Sequence, residues 1–216
     1  GDSLIRASNA FKKISSIGDM SNRNFLKKTL ADRWHTELIP ATQEQISELE
    51  RNAEFYSGVL QKQYLPCYPK LEISDKREGL DLQPRKFYML SLGANQGYRE
   101  WPVDYYAEIA KLIYKKTGWR GLICGTEQER YLGEQLQNIC DAPIKNYTGR
   151  TTLSELAWLL KKSQILISNE TGTAHISSAV GTPTVCILGG GHFGRFLPYP
   201  DVPDQTNKIN AVFHKM

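Results

Sequence analysis

The sequence holds few of the residues that make metal, redox or membrane proteins. Its four cysteines, Cys67, Cys124, Cys140 and Cys186, show no Cys-x-x-Cys spacing. Cys124 and Cys186 fall inside apolar runs, where Cys acts as a small hydrophobe. The expectation is four reduced thiols in a cytosolic protein, with no disulfide framework and no metal site. The four histidines, His35, His175, His192 and His214, are scattered, and no pair has metal-ligand spacing. No run of 18 apolar residues and no signal-peptide pattern occurs, so neither a membrane span nor a secretion signal is expected. No Asp-x-Asp is found, so that paired-carboxylate metal motif is lacking. No Gly-Lys-Ser/Thr occurs, which excludes a P-loop. A dinucleotide fingerprint after the first strand is also absent, because Gly189–Gly194 follows a late strand with no matching helix. The net charge of +4 suits anionic ligands or an anionic membrane face but is too small to argue for nucleic acid.

What is present is a chain of 216 residues, 40% hydrophobic with negative mean hydropathy, long enough to bury a core. From Lys86 onward, apolar runs alternate with helical periodicity. Strands are expected at Phe87–Leu92, Gly121–Cys124, Ile144–Tyr147, Ile165–Ser168 and Thr184–Leu188. Helices are expected from Pro102 (apolar at Tyr106, Ile109, Ala110, Leu112 and Ile113), over Glu127–Ile139, over Thr152–Lys162 (Leu153, Leu156, Ala157 and Leu160 facing the core) and over Thr173–Val180. This alternation predicts an α/β fold with a doubly wound parallel sheet, whose ligand sits outside the carboxyl ends of the strands. Upstream the pattern is mixed. Leu4–Lys13 and Asn22–Trp34 read as helices and Ile14–Ile17 as a short strand. Thr42–Leu60 reads as a helix capped by Thr42, with Ile46, Leu49, Ala53, Tyr56 and Leu60 at helical spacing. Tyr64–Arg85, with Pro66, Pro69 and Pro84 among charges, reads as a linker.

The most informative stretch is Ile165–Gly191, a strand, a turn, a short helix and a second strand ending in three glycines. The turn Asn169-Glu170-Thr171-Gly172 opens a helix whose free N–H groups and partial positive charge suit a phosphate. Glu170 repels a purely anionic ligand. It fits one with phosphate on one side and hydroxyls on the other, such as a nucleotide sugar. Equally, Glu170 reads as a helix cap complementing the dipole.

Ser168-Asn-Glu-Thr-Gly-Thr-Ala-His175 with Ala179-Val-Gly-Thr-Pro183 resembles the signature of the family 9 glycosyltransferases, the bacterial heptosyltransferases: Asp-Ser/Thr-Gly-x-x-His, then Ala-x-Gly-x-Pro. Glu170 stands where that family usually has Asp. Gly93-Ala-Asn-Gln-Gly-Tyr-Arg-Glu-Trp-Pro102 is similar to the family's Gly-Ala-Ser-x-x-x-Lys-x-Trp-Pro, with Arg99 in place of Lys. The resemblance covers residues 86–200 well and 1–60 loosely. It implies the GT-B architecture. Residues 86–216 would be the Rossmann-like donor-binding domain, 64–85 a linker, and 1–63 the tail of an incomplete, partly α-rich N-terminal domain. It implies inverting, metal-independent transfer of a heptose or related sugar from a nucleoside diphosphate, with ADP-heptose favoured and no cofactor. The acceptor implied is the lipopolysaccharide core or another glycan, reached from the cytoplasm with peripheral contact at the inner membrane face, and no nucleic acid is involved.

By the same resemblance, Arg99 would stabilise the leaving diphosphate. Glu129 would contact the ribose, with Glu127 a competitor. Thr151, in Thr148-Gly-Arg-Thr-Thr-Leu153, would lie along the nucleotide, although Thr151 or Thr152 also reads as a helix cap. Asn95, Glu170, Thr171, Gly172 and His175 would complete the donor site, while His192 and Arg195 are weaker candidates. The family's general base is an Asp near the start of the N-terminal domain. No position here matches it, so none is assigned and this chain alone is expected not to turn over. The alternatives are another GT-B enzyme, such as a UDP- or GDP-sugar transferase or an epimerase, and a nucleotide-sugar-binding module without catalysis.

Overall fold

The structure, a computed structural model, describes residues 2–18, 25–74, 86–189, 191, 193–202 and 209–213. His192, His214, Gly190 and residues 75–85 of the expected linker lie outside the described residues. The chain divides into two compact units, Gly1–Cys67 with Gly194–Phe196, and Tyr68–Phe193 with Leu197–Met216. Among the described residues no helix is long and apolar enough to cross a membrane.

The first unit contains α1 (Asp2–Ala7), β1 (Ile14–Ser16), α2 (Phe25–Asp32), β2 (Glu37–Ile39) and α3 (Glu48–Leu60). Strands β1 and β2 pair in parallel, with Ile14 opposite Glu37 and Ser16 opposite Ile39. The unit is therefore not simply α-rich. Helix α3 starts five residues later than expected, because Ser47 rather than Thr42 caps it. Ser47 accepts from the Glu50 N–H at 3.2 Å while Glu50 accepts from the Ser47 N–H at 2.8 Å. This reciprocal capping box satisfies two donors that would otherwise be orphaned. None of the apolar residues of α3 is fully buried, and Tyr56 and Leu60 are more than half exposed.

The second unit is built on one parallel sheet. Its strands are β3 (Phe87–Ser91), β4 (Arg120–Cys124), β5 (Ile144–Asn146), β6 (Leu166–Asn169), β7 (Thr184–Ile187) and β8 (Ile209–Val212), in the spatial order β5-β4-β3-β6-β7-β8. The connecting helices are α4 (Val103–Thr117), α5 (Arg130–Ile139), α6 (Leu153–Lys162) and α7 (Gly172–Ala179). Strand β3 is fully buried, and its residues alternate between two cores. Tyr88 and Leu90 pack with Tyr106, Ala107 and Ala110 of α4 and with Leu132 and Leu136 of α5. Phe87 and Met89 pack with Leu156, Leu159 and Leu160 of α6. A two-residue side-chain period thus feeds both faces of the sheet, as a doubly wound fold requires. Two expected core contacts fail. Leu112 and Leu153 are largely exposed, and the cores instead take Ala107, Trp158 and Leu159.

The order of the strands fixes the place of the site. The chain leaves β3 toward β4 and β5 on one side, then returns to lay β6 on the other side of β3. The point where the order reverses is the β3–β6 pair, where Met89 lies opposite Leu166 and Ser91 opposite Ser168. In open α/β sheets the crevice beyond the carboxyl ends at such a point is where ligands bind.

Candidate functional site

Three loops meet beyond the carboxyl ends of β3, β6 and β7. The loop after β3 runs from Leu92 to Trp101 and carries a short 3-10 turn, Gly97–Arg99. The loop after β6 is Glu170-Thr171, which opens α7. Arg99 Nη2 donates to Glu170 Oε2 at 2.5 Å. The two side chains are only 22% and 10% exposed, so the pair is largely shielded from water. The glycine run after β7 approaches from the side, where a Cβ placed on Gly189 would lie 3.7 Å from Arg99 Nε. Arg99 thus sits in a cradle of backbone and carboxylate, and it is no solvated loop cation.

Helix α7 begins at Gly172 with Thr171 as its N-cap, and the Thr171 side chain makes no capping bond to the helix. Its hydroxyl instead lies 3.4 Å from Ser168 Oγ. Gly172 is exposed, and a Cβ there would meet open space, so the helix entrance is unobstructed. His175, one turn in, is half-buried. Its Nδ1 hydrogen-bonds the Tyr199 hydroxyl at 2.6 Å. Burial holds its pKa below the ordinary 6.5, against an opposing pull from the Glu170 carboxylate. Burial also pushes Tyr199 up to about 12, with the buried Cys186 thiol adding to it, so the phenol keeps its proton. Tyr68 stacks on Tyr199 at 5.5 Å and donates to Pro200 O at 2.6 Å, closing that side of the helix.

The loops after β4 and β5 carry the other candidates. Thr126 and Glu129 form a capping box, in which Glu129 Oε2 accepts from the Thr126 N–H at 2.6 Å. The same carboxylate nests against Gly93 and Gly125, and a Cβ on Gly93 would land on it. Glu129 therefore reaches across from the β4 loop to the base of the β3 loop. Its charge, after burial, helps push the Cys124 thiol up to about 12. Glu127, the competitor, is largely exposed, lies against Gly149 of the β5 loop and pairs with Arg130 at 2.5 Å. Arg130 is the largest cause of its lowered pKa. After β5, Thr152 is the cap of α6 and forms a box with Glu155, leaving Thr151 half-buried one residue earlier. The backbone of Gly149 donates to Gly125 O at 2.9 Å, which ties the two loops together.

Asn95 is exposed on the β3 loop. Arg195 belongs to the first unit, where its Nε donates to Glu48 Oε1 at 2.7 Å. Among the described residues no group of three or more His, Cys, Asp or Glu could hold a metal ion. Asn169 is a residue whose part the sequence does not disclose. It is fully buried, its Nδ2 donates to Leu92 O at 2.6 Å, and its Oδ1 accepts from the Trp101 N–H at 3.1 Å. The one trace of it in the sequence is a carboxamide closing a short buried strand, Leu166–Asn169.

A doubly wound parallel sheet with a cation, a carboxylate and a free helix entrance gathered at its switch point is an α/β architecture of GT-B type. The model of glycosyltransferase family 9 (heptosyltransferase) matches residues 4–210, and the chain belongs to that family. Over 125 residues it is 26% identical to the lipopolysaccharide core heptosyltransferase OpsX of Haemophilus influenzae, a match covering 57% of this chain and 36% of that protein. A family 9 glycosyltransferase from Veillonella parvula superposes with a TM-score of 0.72 at 15% identity, over 99% of this chain and 59% of that one. An Escherichia coli heptosyltransferase solved with ADP superposes at 0.65 and 14% identity, over 86% and 56%. The matches span about a quarter to just over a half of the curated relatives' own length.

Proposed function

We propose that the second unit binds the donor of an inverting heptosyltransferase, an ADP-heptose or closely related nucleotide sugar. The observation that carries the reading is the convergence of Arg99, Glu170 and the entrance of α7 at the switch point of the sheet. Transfer of a sugar from a nucleoside diphosphate places growing negative charge on the leaving diphosphate. The N–H groups at the start of α7 and the donors of Arg99, whose charge Glu170 offsets in part, are set to meet that charge, so no bound metal is called for. Glu170 lies at the edge of those donors and accepts from sugar hydroxyls. It also favours positive charge developing at the anomeric carbon. Glu129 accepts from the ribose, with Asn95, Thr151 and His175 around the nucleotide. The relatives named for lipopolysaccharide heptose transfer support a lipopolysaccharide-core acceptor, met at the inner face of the membrane. The assigned groups account for donor binding and departure of the diphosphate. None of them is assigned the acceptor proton, so donor binding is the direct readout.

The test is calorimetric titration with ADP, UDP and GDP, each with and without a chelator. ADP is expected to bind, to outbind the other two, and to be indifferent to the chelator. Preference for UDP or GDP would favour the alternative nucleotide-sugar enzymes. Binding lost on chelation would remove the metal-independent mechanism. No binding of any nucleoside diphosphate would overturn the reading.

A further inference from the structure

Arg99 lies on an exposed loop, yet its guanidinium is held in one place. Some part of the fold must hold the loop. The ends of the loop are Leu92 and Trp101, and both are tied to the same side chain. Asn169 donates to Leu92 O at 2.6 Å and accepts from the Trp101 N–H at 3.1 Å. A weaker contact from Nδ2 reaches Gly93 O at 3.5 Å. The orientation of the carboxamide follows from its partners, since Trp101 offers only a donor and Leu92 only an acceptor. The adjacent residue, Glu170, takes the guanidinium itself. The Trp101 ring then packs on Tyr105 and Tyr106 at 5.3 and 5.0 Å, and Tyr106 donates to Ser91 O at 3.2 Å.

We infer that Asn169 is a positioning residue that spans both ends of the 93–100 loop and so sets the place of Arg99 against the donor diphosphate. The inference rests on the reading of the site given above. Only a carboxamide of this length donates to one end of the loop and accepts from the other. Aspartate keeps the Trp101 bond but sets a carboxylate against the Leu92 carbonyl. Alanine leaves a buried N–H and a buried C=O without partners. Aspartate thus costs the loop one anchor and alanine both, while the sheet beneath it keeps its ladder bonds.

The experiment is a double-mutant cycle read by ADP titration of the whole chain: wild type, Asn169→Asp, Arg99→Ala and the double variant. Arg99→Ala is expected to weaken ADP roughly ten- to a hundredfold, and Asn169→Asp about tenfold. If Asn169 acts through Arg99, the double variant binds ADP no more weakly than Arg99→Ala, to within about twofold. A merely structural Asn169 would give losses that multiply. Wild-type ADP affinity in Asn169→Asp, or multiplying losses, overturns the inference and leaves the site standing. Wild-type affinity in Arg99→Ala overturns both. Should the Asn169 variants fail to fold, amide exchange in the wild type decides. The Trp101 N–H is expected to be protected as well as the neighbouring strand amides, and free exchange there refutes the strut.

Discussion

Replacing Glu170 by Gln removes one charge from the centre of the site and little else. The carboxamide keeps the size of the side chain and still offers Arg99 an oxygen, so the loop stays in place. The local charge of the pair rises from zero to plus one. A unit charge about 6 Å from a phosphate contributes roughly 0.7–3 kcal/mol across effective dielectric constants of 80 to 20, and salt trims that further. Free ADP should therefore bind about as well as before, or up to roughly tenfold tighter. The sugar conjugate gains the same field but loses charged hydrogen bonds to its hydroxyls, worth about 1.5–3 kcal/mol. The preference for ADP-heptose over ADP should thus fall roughly ten- to a hundredfold. Calorimetry with both ligands on both proteins measures that ratio, in which the common field cancels. If Glu170→Gln weakens ADP as much as Arg99→Ala does and leaves the ratio unchanged, Glu170 is a bracket for Arg99 and not a sugar ligand.

Two further expectations concern its neighbours. The folded His175 imidazole holds its proton less tightly than the unfolded one, whose ordinary value is 6.5. Its contribution to stability is therefore full above pH 6.5 and declines as pH falls below it, as the unfolded chain takes up the proton first. Melting temperatures between pH 7.5 and 5 should fall less steeply for His175→Asn, and an unchanged slope would refute the assignment. Gly93→Ala should displace the Glu129 carboxylate that a Cβ would strike. It should weaken ADP while sparing inorganic pyrophosphate, which has no ribose, and equal losses for both ligands would separate Glu129 from the ribose.

Much of the second unit was legible because strands β3, β4, β6 and β7 are largely apolar and most of the helices carry a cap or breaker, while β5 (Ile-Lys-Asn) is marked only by its place in the alternation. Strands β2 and β8 were not, since three or four residues such as Glu37–Ile39 give no measurable period. The start of α3 is ambiguous in the sequence because two successive capping patterns compete, Thr42-x-x-Gln45 and Ser47-x-x-Glu50. The chain uses the second, whose carboxylate also complements the helix dipole. Arg99 and Glu170 were visible as separate loop residues from their motifs. That they touch was not, because contact between residues 71 apart depends on strand order, which local pattern does not encode. Asn169 was hidden for the same reason, since both its partners belong to another loop.

The reversal of strand order also bears on how the site comes into being. Strands β3, β4 and β5 join through successive local crossovers, as do β6 and β7, and β8 pairs on the outer edge of β7. Within the sheet the β3–β6 pairing is the seam between the two halves, and the chain reaches it only after the whole β4–β5 excursion. Closing so long a loop has an entropic cost that must be met before its contacts contribute anything. Arg99 lies on one side of that seam, and Glu170 with the head of α7 on the other. Neither half by itself holds a site. A nucleotide can therefore stabilise only chains whose seam has already closed, so its grip acts on unfolding and gives no help to the search that precedes it.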